Sequence, residues 1–285
     1  MSEESTGKIL VAVDGSKAAR NAASVAITLA RMQGYAIRGL YIVDEALALE
    51  SYSGYHHELT FEVDRDENDD PVAMLEAQGA LALNELEVMC RRAGVAVENE
   101  MLLGNVVDLI LDRAQQALLL AMGRRGNRHA NRPDHLGEHF WQVTHKARIP
   151  VIVGGDVAPD QIRLLLFGFT GDEHDIRALH GLTVLQRDLN ADVIVALAGD
   201  PDEAQTKQWR EQVLARIAEE DRTHYRFLRR PEKLADALIA IIRAEKIDLV
   251  VMSAHHHRLA LLDELLGSPL DTMLTQTQQP VIIVH

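Results

Sequence analysis

Ile9-Leu-Val-Ala-Val-Asp14-Gly-Ser16 is an apolar run that ends on a polar turn, and its reading decides the fold. Near-continuous apolar runs suit β-strands covered on both faces. Residues 8–13 therefore read as a strand, and a helical pattern follows at 18–33. The alternation continues with strands at 36–43, 95–103, 118–122 and 151–153 and helices at 72–93, 105–116 and 138–146. The order then restarts. Strands at 163–169, 192–198, 223–228, 249–253 and 281–284 interleave with helices at 175–189, 202–220, 231–245 and 268–277. Strands that alternate with long helical patterns imply parallel βαβ units. The expected architecture is α/β, with two doubly wound, Rossmann-like parallel-sheet domains in tandem.

The two copies are unequal. Gly34 and Asn190 match at the ends of the first helices, an offset of 156, whereas Pro150 and Pro280 match before the last strands, an offset of 130. The second copy is thus shorter by 156 − 130 = 26 residues. The missing piece falls between the second strand and the second helix. In the first copy that stretch, 45–71, holds Ser51-Tyr-Ser-Gly-Tyr-His-His57 and an acidic run at 64–70. It reads as a long loop, either a functional lid or an insert without fixed structure. Gly154-Gly-Asp-Val-Ala-Pro-Asp160 breaks both periodicities and reads as the linker, giving expected domains 1–156 and 157–285.

Composition narrows the function classes. A chain of 285 residues suits two domains, each able to bury a core. A formal net charge of −14 repels a phosphate backbone, so no nucleic-acid partner is expected. Cys90 is the single cysteine, which excludes an intramolecular disulfide and a four-cysteine zinc site and fits a reducing compartment. The first residues carry no basic-then-apolar secretory pattern. No apolar run reaches the ~18 residues of a membrane helix. A cytoplasmic protein with no membrane partner is expected.

Ligands of open parallel sheets bind beyond the carboxyl ends of the strands, at the switch in strand order. Two loops of the first copy matter. In Val13-Asp14-Gly15-Ser16, Gly15 permits a tight turn and Asp14 is placed to accept hydrogen bonds from a ribose or an adenine amino group. The competing reading makes Asp14 and Ser16 plain helix caps. The second loop runs Met122-Gly123-Arg124-Arg125-Gly126, continues through Arg128 and Arg132, and reaches Gly137-Glu138. Glycines let backbone N–H groups approach a phosphate, a helix N-terminus adds donors, and arginine binds oxygens with a two-pronged fork. The competing reading is a solvated basic loop. In the second copy Thr170 stands where Asp14 was, and Ser253-Ala254 replaces the first glycine and its neighbour. Gly267-Ser268-Pro269-Leu270-Asp271 is a strong helix start with a capping box, whose serine hydroxyl alternatively faces a phosphate.

Ile9–Ser16, the endings Arg148-Ile-Pro-Val-Ile-Val153 and Gln279-Pro-Val-Ile-Ile-Val284, and Ile247-Asp-Leu-Val-Val-Met252 resemble the universal stress protein family in its tandem form. The resemblance covers nearly the whole chain, twice, apart from the insert. Likeness to the nucleotide-binding subclass implies ATP or another adenine nucleotide, with no metal beyond a nucleotide-associated Mg. It implies contacts from Asp14, Gly15 and the backbone near Val43 to ribose and base. It further implies contacts from Met122, Gly123, Arg124, Gly126 and Gly137 to ribose and phosphates. The chain departs from the subclass pattern of Gly-x-x-Gly, nine residues, then Gly-Ser or Gly-Thr. Ten residues separate Gly126 from Gly137, and Glu138 replaces the hydroxyl residue. A glutamate there favours the helix N-terminus by ~0.3–1 kcal/mol but repels a phosphate at the same spot. The second copy keeps Gly267-Ser268 and lacks the glycine pair and the aspartate, which leaves Thr170, Gly267 and Ser268 as its candidates.

The expected function is a stress-response module that binds an adenine nucleotide in the first copy and acts through an unidentified protein partner. The alternative is loss of nucleotide binding in both copies, with a scaffold role or a non-nucleotide ligand. At most a slow ATPase is expected, since no general base is visible. His255, His256 and His257 are weak metal candidates because adjacent side chains cannot converge. Units of this family pair through their final strands, which implies an intramolecular pseudo-dimer of 151–153 against 281–284, with further homodimerisation open.

Overall fold

The computed structural model describes residues 7–47, 49, 70–125, 136–254 and 268–285. Most of the insert and residues 126–135 and 255–267, with Gly126, Gly267 and His255–His257, lie outside the described residues.

The first half runs β1 (Lys8–Ala12), α1 (Lys17–Gln33), β2 (Ala36–Asp44), α2 (Pro71–Ala93), β3 (Val97–Gly104), α3 (Val106–Ala114), β4 (Leu119–Gly123), α4 (Glu138–Lys146) and β5 (Val151–Gly154). The second runs β6 (Leu164–Phe169), α5 (Glu173–Leu189), β7 (Asp192–Leu197), α6 (Glu203–Leu214), β8 (Tyr225–Arg229), α7 (Leu234–Ala244), β9 (Leu249–Ser253), α8 (Pro269–Gln276) and β10 (Val281–Val284). The ten strands of the described residues form one sheet, ordered β3-β2-β1-β4-β5-β10-β9-β6-β7-β8. Pairing is parallel inside each half. The halves join antiparallel, with Val281, Ile282 and Ile283 opposite Val153, Ile152 and Val151. Ile152 and Ile282 differ by 130, so the sequence repeat is also a local two-fold axis. The pseudo-dimer is therefore built into the chain.

The register reproduces both sequence offsets. Lys8 faces Ala36 and Leu164 faces Asp192, each pair 156 apart from its counterpart. Ile9 faces Leu119 and Leu165 faces Leu249, where 249 − 119 = 130. The matched helix ends also behave alike, for Gly34 and Asn190 both take left-handed C-cap conformations (φ 69° and 46°). Glycine and asparagine are the residues that tolerate that geometry.

Two cores cover the sheet. One face packs α1, α2, α5 and α6 through residues such as Ala22, Leu86, Leu182 and Val213. The other packs α3, α4, α7 and α8 through Ile110, Phe140, Leu238 and Leu274. Each core runs unbroken across the β5–β10 seam, so the halves share their hydrophobic burial. One element ends early. The helix expected over 202–220 stops at Leu214, and a 3₁₀ turn occupies Glu219–His224 before β8. Ile217 is buried against the first core between them, so tertiary packing rather than a glycine or proline ends the helix.

Candidate functional site

Strand order in the first half switches between β1 and β4, and both strands end beside the N-terminus of α1. At the end of β1 the Asp14 carboxylate accepts the Ser16 N–H at 2.8 Å. Ser16 is the N-cap of α1, its hydroxyl accepting the Ala19 N–H at 3.1 Å. Gly15 takes φ 76°, which glycine adopts without strain, and its carbonyl accepts an Arg20 N–H at 2.8 Å. Partial burial pushes the Asp14 pKa above the usual carboxylate range, against the hydrogen bonds from Ser16 and the charge of Arg20. Ser16 caps the helix, and Asp14, which accepts the Ser16 N–H, holds a partly desolvated carboxylate at the switch point.

β2 outruns its neighbour. Pairing with β1 ends at Ala12 opposite Leu40, while β2 continues to Asp44 alongside β3. The stretch Tyr41–Asp44 thus borders the crevice on one side. Val43 lies in it, its side chain packed with Tyr41, Ala82 and Leu83. At the mouth, His139 Nε2 on α4 lies 3.8 Å from the Asp44 carboxylate. Beside Gly15, the turned face of α2 presents Ala82, Glu85 and Leu86 and leaves a shallow cleft.

On the far side, Met122 is a buried core residue of β4. Gly123 is small because of packing: a Cβ there would stand 2.8 Å from the Ala19 nitrogen and 3.2 Å from the Ser16 hydroxyl. Gly137 caps α4, and its N–H donates to the Arg124 carbonyl at 3.0 Å, so that donor is already used. Arg124 departs from its expected role. Its side chain is 1% exposed and turns away from solvent into the seam between the halves. There it donates to the carbonyls of Leu274 (2.8 Å) and Thr277 and pairs with the Asp156 carboxylate. Burial pulls its pKa down while Asp156 opposes the shift. The physical reason for the departure is that helix-end carbonyls and an aspartate surround it, and a phosphate would have to displace them. Arg125 is buried too, lies 3.7 Å from Asp156, and keeps a buried Nε without a hydrogen-bond partner among the described residues.

The matching place in the second half is filled. Thr170, at the position of Asp14, donates through its N–H and its hydroxyl to Asp175, both at 2.8 Å. Ser253, at the position of Gly123, donates to the other Asp175 oxygen at 2.6 Å. Asp175 matches Ala19 and is 0% exposed. Polar side chains therefore replace the glycine–alanine contact of the first half and satisfy one another. Above them, α6 turns Trp209 onto the loop. Its ring lies edge-on to Phe169 at 5.9 Å and so close to Gly171 (φ 82°) that a Cβ there would stand 2.4 Å from the indole nitrogen. Ser268 serves as the α8 N-cap in a full capping box with Asp271. Asp175 and Trp209 were not singled out in the sequence as site residues. A signal existed for Asp175, because it shares the buried helical stripe of Ala178, Leu179 and Leu182.

Among the described residues no group of three His, Cys, Asp or Glu side chains is placed to hold a metal ion. No helix among them is long and apolar enough to cross a membrane.

The family model described as the universal stress protein family matches residues 6–153 and again 163–285. A universal stress protein from Archaeoglobus fulgidus has a TM-score of 0.71 at 15% identity, covering 97% of this chain and 95% of its own. A putative universal stress protein from Pseudomonas aeruginosa gives 0.61 at 16%, covering 98% and 93%. A functionally unknown protein from the same species gives 0.62 at 16%, covering 98% and 92%. At these identities the likeness is one of fold. No curated protein matches the chain.

Proposed function

The chain belongs to the universal stress protein family, and from that premise we propose that its first half binds ATP or another adenine nucleotide beside Asp14 while its second half binds none. The observation that carries this reading is the contrast between two matched crevices. In the first, the Asp14 carboxylate and the projecting end of β2 bring polar groups to the switch point. In the second, Asp175, Thr170, Ser253 and Trp209 occupy that place. An adenosine suits the first set, since a carboxylate accepts from ribose hydroxyls and a strand end offers amide and carbonyl groups to a base edge. Any Mg would travel with the phosphates. Signalling then passes to a protein partner that reads the nucleotide-bound surface.

The second reading is a scaffold that has lost nucleotide binding in both halves. It is favoured by the commitment of the Arg124 guanidinium and the Gly137 N–H to protein acceptors. Calorimetric titration with Mg-ATP decides between the two. The proposed function expects one site per chain, lost in Asp14→Ala and in Gly126→Val and retained in Thr170→Val. No heat and no thermal shift, together with no adenine nucleotide released on denaturing freshly purified protein, would leave the scaffold reading. Phosphate release abolished by Gly126→Val would add a slow ATPase.

A further inference from the structure

We infer that Arg124 is a positioning residue through which the second half holds the base of the first half's glycine loop, so that occupancy of the first crevice is felt across the seam. The second clause rests on the nucleotide reading; the first does not.

Arg124 follows β4 directly and ties three elements together. Its carbonyl accepts the Gly137 N–H at 3.0 Å, which ties the end of β4 to the start of α4. Its guanidinium reaches the last turn of α8 in the other half, at the Leu274 and Thr277 carbonyls. Helix C-termini leave carbonyls unpaired and carry partial negative charge, so a buried cation with several donors suits them. The third element is the linker. Asp156 pairs with the same guanidinium, and the Asp156 and Val157 N–H groups both donate to the Gln278 carbonyl, at 2.8 and 3.1 Å. Gly155 passes so close that a Cβ would stand 2.1 Å from that carbonyl oxygen. The Gly155 carbonyl in turn accepts the Asn21 side-chain amide at 2.9 Å. Asn21 lies on α1, the helix that begins at the Asp14 turn. A continuous set of hydrogen bonds thus links both walls of the first crevice to the end of α8.

The link has no mirror image. Under the offset of 130, position 124 corresponds to Ala254, which carries no donor on its side chain. The second half supports the first, and among the described residues no arginine returns the contact.

Amide hydrogen exchange on the full-length chain tests this. Arg124→Met, without nucleotide, should speed exchange at Gly137, Asp156 and Val157 by about tenfold or more, because the partners left behind are buried and charged. Amides of β1 and β6 should keep their protection. Asp156→Asn, a half-exposed change on the linker that folds readily, should speed exchange at Gly137 several-fold, and Arg124→Lys should fall between wild type and Arg124→Met. Gly137 exchanging at the wild-type rate in both Arg124→Met and Asp156→Asn would overturn the inference. With Mg-ATP, wild type should slow at Asp156 and Val157 and Arg124→Met should not. Binding without that slowing would refute the coupling. If Mg-ATP gives no binding to wild type, the nucleotide reading fails and the nucleotide-free variants decide the positioning role alone.

Discussion

The filled crevice of the second half makes a quantitative prediction. Asp175 is fully buried and accepts the Thr170 N–H, the Thr170 hydroxyl and the Ser253 hydroxyl. Asp175→Ala removes that acceptor. The Thr170 N–H is fixed by the backbone, and an orphaned buried donor costs about 1–3 kcal/mol. The hydroxyls can re-aim and cost less, while the space of the lost carboxylate adds a small cavity. The expected loss is about 3–4 kcal/mol, a large share of the roughly 5–15 kcal/mol that folded proteins possess. Ser253→Gly alone should cost about 1–2 kcal/mol, from the lost charge-assisted bond and the glycine in a strand. The double variant restores the alanine–glycine contact seen at Ala19 and Gly123 and removes the Ser253 hydroxyl that the single change strands. Its cost should therefore fall below the sum by about 1–2 kcal/mol. Urea unfolding followed by far-ultraviolet dichroism, with Trp209 fluorescence as a second probe, measures the cycle. Additivity within about 0.5 kcal/mol, or a loss below about 1 kcal/mol for Asp175→Ala, would refute the argument that these groups form one mutually satisfied set.

Three further outcomes follow from individual sites. Gly171→Ala places a Cβ on the Trp209 indole at a left-handed backbone position (φ 82°), and it should cost about 2–3 kcal/mol and shift Trp209 emission, as read by thermal unfolding and fluorescence. Asp14→Asn should slightly stabilise the apo protein at neutral pH, by less than about 1 kcal/mol, and weaken any nucleotide binding. The sign follows from the raised Asp14 pKa: folding favours its protonated form, so the penalty is full above that pKa and the difference from Asp14→Asn disappears as pH falls through it to the ordinary aspartate value. Glu100 accepts a forked contact from Arg113, at 2.7 to 3.1 Å, which holds its carboxyl below the usual carboxylate range. Its stabilisation is present above the ordinary glutamate pKa and is lost as pH falls through the depressed value, so Glu100→Gln should cost about 0.5–1 kcal/mol at pH 7 and little at pH 3, by urea midpoints at both.

Much of the architecture was readable because strands buried on both faces leave short apolar runs bounded by turn residues. The last strands are the clearest case: Val-Ile-Val and Val-Ile-Ile-Val, each after a proline, fix where the halves meet. The helix expected over 202–220 failed for a contrasting reason, since Ile217 ends it by packing and leaves no local mark. Arg124 illustrates the harder limit. In the sequence it stands among glycines and other arginines and looks like a phosphate ligand, yet its partners lie 32 residues away at Asp156 and 150 and 153 away at Leu274 and Thr277. Pairings of that range leave no pattern in a single chain. Asp175 was within reach, because an aspartate on an apolar helical stripe demands buried partners and the repeat offsets pair it with Ala19 while pairing Ser253 with Gly123.

That double correspondence bears on what the second half is for. Its sheet and cores are as apolar as those of the first, because β10 must pair with β5 and both cores continue through the seam. The crevice carries no such obligation: Asp14, Ala19 and Gly123 become Thr170, Asp175 and Ser253, while the turn glycine is kept at Gly171. A crevice that merely lost its aspartate and glycines would expose backbone and leave polar groups without partners, at a cost of about 1–3 kcal/mol for each one buried. Here the replacements satisfy one another, and an indole closes the turn above them. The second half is therefore a stable wall whose switch point is filled by its own side chains, and the contacts it sends across the seam, at Leu274, Thr277 and Gln278, meet Arg124 and the linker of the first half.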